Sequence, residues 1–304
     1  MNAWTVAVPQ PDQLGESPFW HPREGRLCWV DIHGRAVNRL DPATGAVERW
    51  AMPAQPGCIA PADSGGLVIA LRDGVYRAPG WGGQLRLVAP APYDTATGRF
   101  NDGKADPQGR FWAGSLYDPR DARAAALYCL DLRAGAGAME RKAGDATVAN
   151  GLAWSPDART MYWADTSQHV VWVWDWDASS NAMSNQRVFL QFPGKPDGWR
   201  PGDAGYGGRP DGAAVDAQGN YWCAMYEGGR VLQFAPSGRL LREIPAPVRC
   251  PTMPCFGGAD LKTLYLTSAR HSRTPAELRE QPQAGCVFAM QVDVPGRAVD
   301  FVRD

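Results

Sequence analysis

The segment QGRFWAG, residues 108–114, sets a tight turn before an apolar strand. The same arrangement returns as EGRLCWV at 24–30, SGGLVIA at 64–70, DARTMYW at 157–163, QGNYWCA at 218–224 and DLKTLYL at 260–266. With Gly25, Gly65, Gly109, Ala158, Gly219 and Leu261 as reference points, successive copies stand 40, 44, 49, 61 and 42 residues apart. Within each copy strand follows strand: after Trp29, Val30 and Ile32 come Val37, Arg39 and Leu40, then the turn Asp41-Pro42-Ala43-Thr44-Gly45, then Val47 and Trp50. Short strands, regular turns and hardly any helical periodicity predict an all-β chain. A period of about 40–50 residues with four strands each predicts a six-bladed β-propeller, its four-stranded antiparallel blades set around a central channel. A pair of β-sandwiches is the alternative, but sandwiches do not require a fixed spacing between turns.

The one long interval contains PGKPDGWRPGDAGYGGRP, residues 193–210, whose glycine and proline density predicts an inserted surface loop. WTVAV, residues 4–8, alternates and precedes the first copy. It is expected to join the C-terminal sheet, because closing the ring removes exposed edges. Thr274-Pro275-Ala276-Glu277 reads as N-cap, first-turn proline and capping-box glutamate of a helix on the last blade. With no segment resembling a linker, residues 1–304 are expected to form a single domain. Thirteen tryptophans and 34 glycines suit flat sheets packed face to face around an axis.

A formal charge of −1 with scattered arginines gives no basic field for nucleic acid or an anionic membrane. MNAWTVAVPQPDQ has no basic stretch followed by an apolar core, and no run approaches 18 apolar residues, so the expected location is the cytoplasm. The expected state is a monomer or a weak dimer. Seven cysteines spread from Cys28 to Cys286, without Cys-x-x-Cys, read as free buried thiols; a zinc or disulfide role for Cys250 and Cys255 is disfavoured. His21, His33, His169 and His271 show no metal-binding spacing and read as structural. No Gly-x-Ser-x-Gly, phosphate-binding loop or dinucleotide fingerprint is present, which argues against serine-hydrolase and nucleotide chemistry.

In a closed ring the innermost strand of each blade brings one register position to the axis: Glu16, Cys58, Asn101, Asn150, Asp211 and approximately Met253. Asn-Gly and Asp-Gly are common turn dipeptides, so singly Asn150 and Asp211 read as turn residues. Together, carboxylates crowded on an axis repel one another unless positive charge sits between them. Glu16, Asn150 and Asp211 offer three oxygens and no imidazole or thiolate, a donor set suited to one divalent cation: Ca²⁺ first, then Mg²⁺ or Mn²⁺, with Zn²⁺ or Fe²⁺ as further candidates.

LGESPFWHPREGRLCWVDI, RFNDGKADPQGRFWAGS, NGLAWSPDARTMYWADT, PDGAAVDAQGNYW, LYLTSAR and AGCVFAMQVDVPG together resemble the SMP-30/gluconolactonase family, six-bladed propellers that include sugar lactonases. The resemblance covers nearly the whole chain. It implies that Glu16, Asn150 and Asp211 are metal ligands and that Arg99 and Asn101 of RFNDG contact substrate. Where mammalian members carry an acidic substrate contact after the third blade's inner strands, this chain reads Tyr117-Asp118-Pro119-Arg120, and Asp118 stands in from one position away. The implied activity is hydrolysis of a sugar lactone to its aldonic acid, with the cation polarising the carbonyl and Asp211 accepting a proton from water. Whether Asp211 or the cation activates that water stays open. So do a calcium-dependent organophosphate or fluorophosphate hydrolase, which related propellers exemplify, and a non-catalytic interaction scaffold. Substrate discrimination is expected from the loops Tyr117–Arg123 and Pro193–Pro210.

Overall fold

Asp106 and Asp216 open the two most similar copies of the repeat, and each uses both carboxylate oxygens. In the computed structural model, which describes residues 3–135 and 137–304, Asp106 Oδ1 accepts the amides of Gln108 and Arg110 at 2.8 and 3.0 Å. Its Oδ2 accepts Trp112 Nε1 at 2.8 Å. Asp216 repeats the pattern with Gln218, Asn220 and Trp222 Nε1, all at 2.9 Å. Gly109 and Gly219 turn the chain at φ 84° and 83°, the left-handed region that glycine enters without steric cost. One acidic residue thus closes the turn and fixes the indole that fills the blade. Trp112 and Trp222 are fully buried, and truncating such a side chain costs about 3–5 kcal/mol.

Six four-stranded antiparallel sheets follow, as the repeat predicts. Their inner strands are Gly15–His21, Pro56–Pro61, Gly98–Ala105, Ala149–Trp154, Arg209–Val215 and Pro251–Gly257, and neighbours in that order pack against one another until the last meets the first. The ring closes where Thr5–Val8 pairs antiparallel with Val287–Gln291, Thr5 opposite Ala289. The closing strand begins one residue later than expected, because Trp4 turns away and its indole donates to the Pro245 carbonyl at 2.9 Å. The helix is Pro275–Glu280, with the Thr274 and Glu277 capping box complete. Apolar side chains between adjacent blades form the cores, such as Trp112, Trp154, Trp163 and Trp174 between the third and fourth.

The C-terminal residues run across the face opposite the channel's acidic mouth and tie five of the six blades. Gly296 and Arg297 donate to the carbonyls of Leu261 and Val215. Phe301 packs on His21, Val302 and Arg303 donate to Pro61 and Gly109, and Asp304 pairs with Arg77 at 2.5 Å. All seven cysteines are buried free thiols, Cys250 and Cys255 included. Residues 193–208 form no regular element, while Arg209 and Pro210, read as the end of the insertion, begin the fifth inner strand. The insertion folds onto itself and onto the fourth blade through Trp199 against Tyr206, and Tyr206 against His169.

Candidate functional site

All six inner strands break register at one level of the channel. The shifts fall between Glu16 and Phe19, Pro56 and Cys58, Phe100 and Gly103, Asn150 and Ala153, Pro210 and Ala213, and Pro251 and Pro254. A bulge leaves residues unpaired and re-aims their side chains, so the register positions read from the repeat sit at the ring of bulges. Gly151 shows how tight this ring is: at φ 60°, a Cβ there would lie 2.4 Å from the Tyr221 hydroxyl.

Glu16, Arg99, Asn101, Asp118, Asn150 and Asp211 all line one cavity of about 290 Å³, at the small end for a small-molecule site. Except for Asp118 these side chains are almost wholly buried. Asn101 Nδ2 donates to Asn150 Oδ1 at 2.8 Å and to the Ala149 carbonyl at 2.9 Å, while its Oδ1 accepts Arg99 Nη1 at 2.7 Å. Asn150 in turn donates to Thr166 Oγ1 at 2.8 Å, which fixes its amide with the oxygen toward Asn101. Asn101 therefore spends its whole amide orienting Asn150 and Arg99. Arg99 keeps Nε and Nη2 without a partner among the described residues.

The carboxylates are held differently. Glu16 Oε2 accepts its neighbour Ser17's amide at 2.8 Å, and Asp211 accepts no hydrogen bond among the described residues. Burial, then the charges of Asp211 and Asp102, push the Glu16 carboxyl well above the usual range. Burial pushes Asp211 up too, against the pull of Arg209. Asp102, the residue after Asn101, accepts Leu152's amide at 2.9 Å through Oδ2 and leaves Oδ1 buried without a donor. Among the described residues no three His, Cys, Asp or Glu side chains are grouped as a metal site. The candidate set instead combines two carboxylates with an amide oxygen. Two buried carboxylates, of which Asp211 raises the pKa of Glu16 and itself accepts no hydrogen bond among the described residues, fit a cation between them.

Three lining features had no signal in the sequence: the His33–His271 stack, Arg273 and Tyr226. His33 and His271, 238 positions apart and read as isolated, stack in the cavity wall with ring centroids 3.7 Å apart. Arg120, Arg209 and Arg273 also line the cavity, as does Tyr226. Asp118 reaches the wall, but its Oδ2 is paired with Arg72 at 2.6 Å. Of the insertion only Arg209 lines this cavity, and residues 193–208 contribute nothing to its lining. A second cavity of about 90 Å³, at the far ends of the same inner strands, is lined mainly by apolar residues such as Phe19, Trp154 and Met253. It shares none of the buried carboxylates.

A model of the SMP-30/Gluconolactonase/LRE-like region matches residues 14–270. The chain belongs to the SMP-30/gluconolactonase/LRE-like family. Within this family it is 44% identical over 291 residues to the 6-deoxy-6-sulfogluconolactonase of Pseudomonas putida, spanning 96% of this chain and 95% of that one. It is 33% identical to regucalcin of Danio rerio, over 92% and 91% of the two chains. The crystal structure of a calcium-binding protein, regucalcin, from Agrobacterium tumefaciens superposes on it with a TM-score of 0.90 at 28% identity, covering 100% of this chain and 98% of that one. The family is one of sugar lactone lactonases, and the regucalcin structure shares the fold of this chain.

Proposed function

We propose that the protein is a divalent-cation-dependent sugar lactone hydrolase that opens an aldonolactone to its aldonic acid. The observation that carries this reading is the buried, donor-free carboxylate of Asp211, facing the same cavity as Glu16, Asn150 and the Arg99–Asn101 pair. Glu16, Asn150 and Asp211 would hold the cation, which when bound polarises the lactone carbonyl as a Lewis acid. Asp211, with no hydrogen bond occupying its oxygens, accepts the proton of the attacking water and can return it to the ring oxygen as the ester bond breaks. Arg99 directs Nε and Nη2 at the substrate hydroxyls. Asn101 acts as a positioning residue, because its amide already holds Asn150 and Arg99 in place. The relative from Pseudomonas putida is by its name a lactonase of a gluconolactone derivative, and the regucalcin of known structure is described as a calcium-binding protein; both support this reading.

Acid release from glucono-1,5-lactone, followed after EDTA treatment and re-addition of Ca²⁺, Mg²⁺, Mn²⁺ or Zn²⁺, tests it. Activity is expected to vanish with the chelator and to return with at least one of these ions. Glu16→Gln and Asn150→Ala are each expected to weaken cation affinity at least about tenfold, as the loss of one ligand should. Full turnover by chelated protein would overturn cation dependence, and turnover of a fluorophosphate with none of the lactone would favour an organophosphate hydrolase.

A further inference from the structure

We propose that the lactone taken by this site carries a tetrahedral anion, sulfonate or phosphate, at the end remote from the carbonyl, and that Arg120 receives it. This rests on the lactone hydrolase reading above. Four arginines from four separate segments line the cavity: Arg99, Arg120, Arg209 and Arg273. The carboxylates in the same wall are Glu16, Asp118 and Asp211. Glu16 and Asp211 form the candidate cation set, and Asp118 is occupied by Arg72. Behind the wall, Arg209, Arg273 and Lys195 share the buried carboxylate of Glu227, at 3.2, 3.3 and 2.9 Å, and the buried Glu277 pairs with Arg249 at 2.7 Å and with Arg273 at 3.6 Å. Positive charge therefore exceeds negative at the mouth, before any divalent cation adds to it.

Arg120 is the side chain this excess leaves over. It is exposed, and among the described residues it has no hydrogen-bond or ion-pair partner, unlike the other three cavity arginines. It follows Pro119 at φ 61°. Arg273 is held in the wall, its Nη1 3.3 Å from Glu227 and 3.6 Å from Glu277. Arg99, Arg120 and Arg273 share the cavity wall with the His271 ring. Depth gives the orientation. Glu16, Asn150 and Asp211 are buried at the ring of bulges, whereas Arg120 lies at the exposed rim, so the carbonyl goes inward and the anion stays outward. A guanidinium fork matches a sulfonate or phosphate with two parallel hydrogen bonds, geometry that a neutral hydroxymethyl group cannot use.

Calorimetric binding of three aldonic acids, gluconate, 6-phosphogluconate and 6-deoxy-6-sulfogluconate, tests the subsite without requiring turnover. At least one of the 6-anionic acids should bind about fivefold tighter than gluconate, the upper range for an ion pair made at an exposed rim, and the tighter of the two names the anion. In Arg120→Ala that advantage should collapse, and Arg120→Lys, which keeps the charge but not the fork, should restore part of it. Unchanged melting temperatures would show that both variants fold. Equal affinity for all three acids, or an Arg120→Ala variant that weakens all three by the same factor, overturns the proposal. The corresponding lactones, assayed for acid release in parallel, separate the two readings. A retained binding preference with no lactone opened would keep the subsite and remove the hydrolase, whereas hydrolysis of the neutral lactone at the same kcat/KM as its 6-anionic counterparts would remove the subsite alone.

Discussion

Asp211 and Asp216 are five residues apart on the fifth blade, both buried, and they live in opposite chemical worlds. Asp216 accepts two backbone amides, the Asn220 side chain, the Trp222 indole and Gln233 Nε2, so its negative charge is shared among donors on every side. Asp211, at the ring of bulges, accepts none among the described residues, and its carboxyl is displaced upward. A fold that can saturate one aspartate this fully and leaves its near neighbour bare reserves the second for something that is not protein. The cost of burying a carboxylate without donors runs to several kcal/mol, which only a bound positive charge or a proton offsets.

The comparison breaks most directly by truncating each residue. Asp211→Ala should lower lactone kcat/KM by about a thousandfold or more, losing both a cation ligand and the proton acceptor, while the melting temperature in EDTA stays level or rises as repulsion with Glu16 is relieved. Asp216→Ala should do the reverse. Leaving an indole and backbone amides without an acceptor should cost about 3 kcal/mol in urea unfolding, with activity per folded molecule largely retained. If Asp216→Ala abolished turnover without loss of stability, or Asp211→Ala unfolded the chain, the division of labour would be wrong.

A smaller effect concerns pH at the cavity wall. Burial, then the positive neighbours His271 and Arg99, bring the His33 pKa down to about 4. Below its unfolded value near 6.5, the unfolded chain takes up a proton that the folded chain refuses, so stability falls as pH drops from about 6.5 toward 4. His33→Gln should flatten that slope in urea midpoints measured across this window. An unchanged slope would show that the stacked pair does not resist protonation. Smallest of all is Asp118→Ala. Loss of its pair with Arg72 should change stability by no more than about 1 kcal/mol, while reordering preference between pentono- and hexonolactones about tenfold. A fixed ranking would remove Asp118 from the substrate's reach.

The ring was legible because one turn, Asp106 through Trp112 and Asp216 through Trp222, recurs with the same hydrogen bonds that its sequence allows. Glu16, Asn150 and Asp211 were legible through that same repeat, since a fixed offset from the turn becomes a fixed height in the channel. Arg273 and the His33–His271 stack obey no such offset, and Arg120 was legible only as part of the loop Tyr117–Arg123. They reach the cavity on loops between the second and third strands of the first, third and sixth blades, whose paths depend on contacts far along the chain, and no local spacing marks them. Asn101 was visible as a position but not as a relay, because its role depends on which way its amide is turned by Asn150 and Arg99.

The closing strand imposes a schedule on synthesis. Thr5 and Ala289 are partners across 284 intervening positions of chain growth. At about 5–20 residues per second, the first strand leaves the ribosome about 15–60 s before its partner exists. Through that interval Thr5–Val8 is a strand without its partner, free to capture another chain. Yield in a cell is therefore set by how well that strand is shielded during this wait.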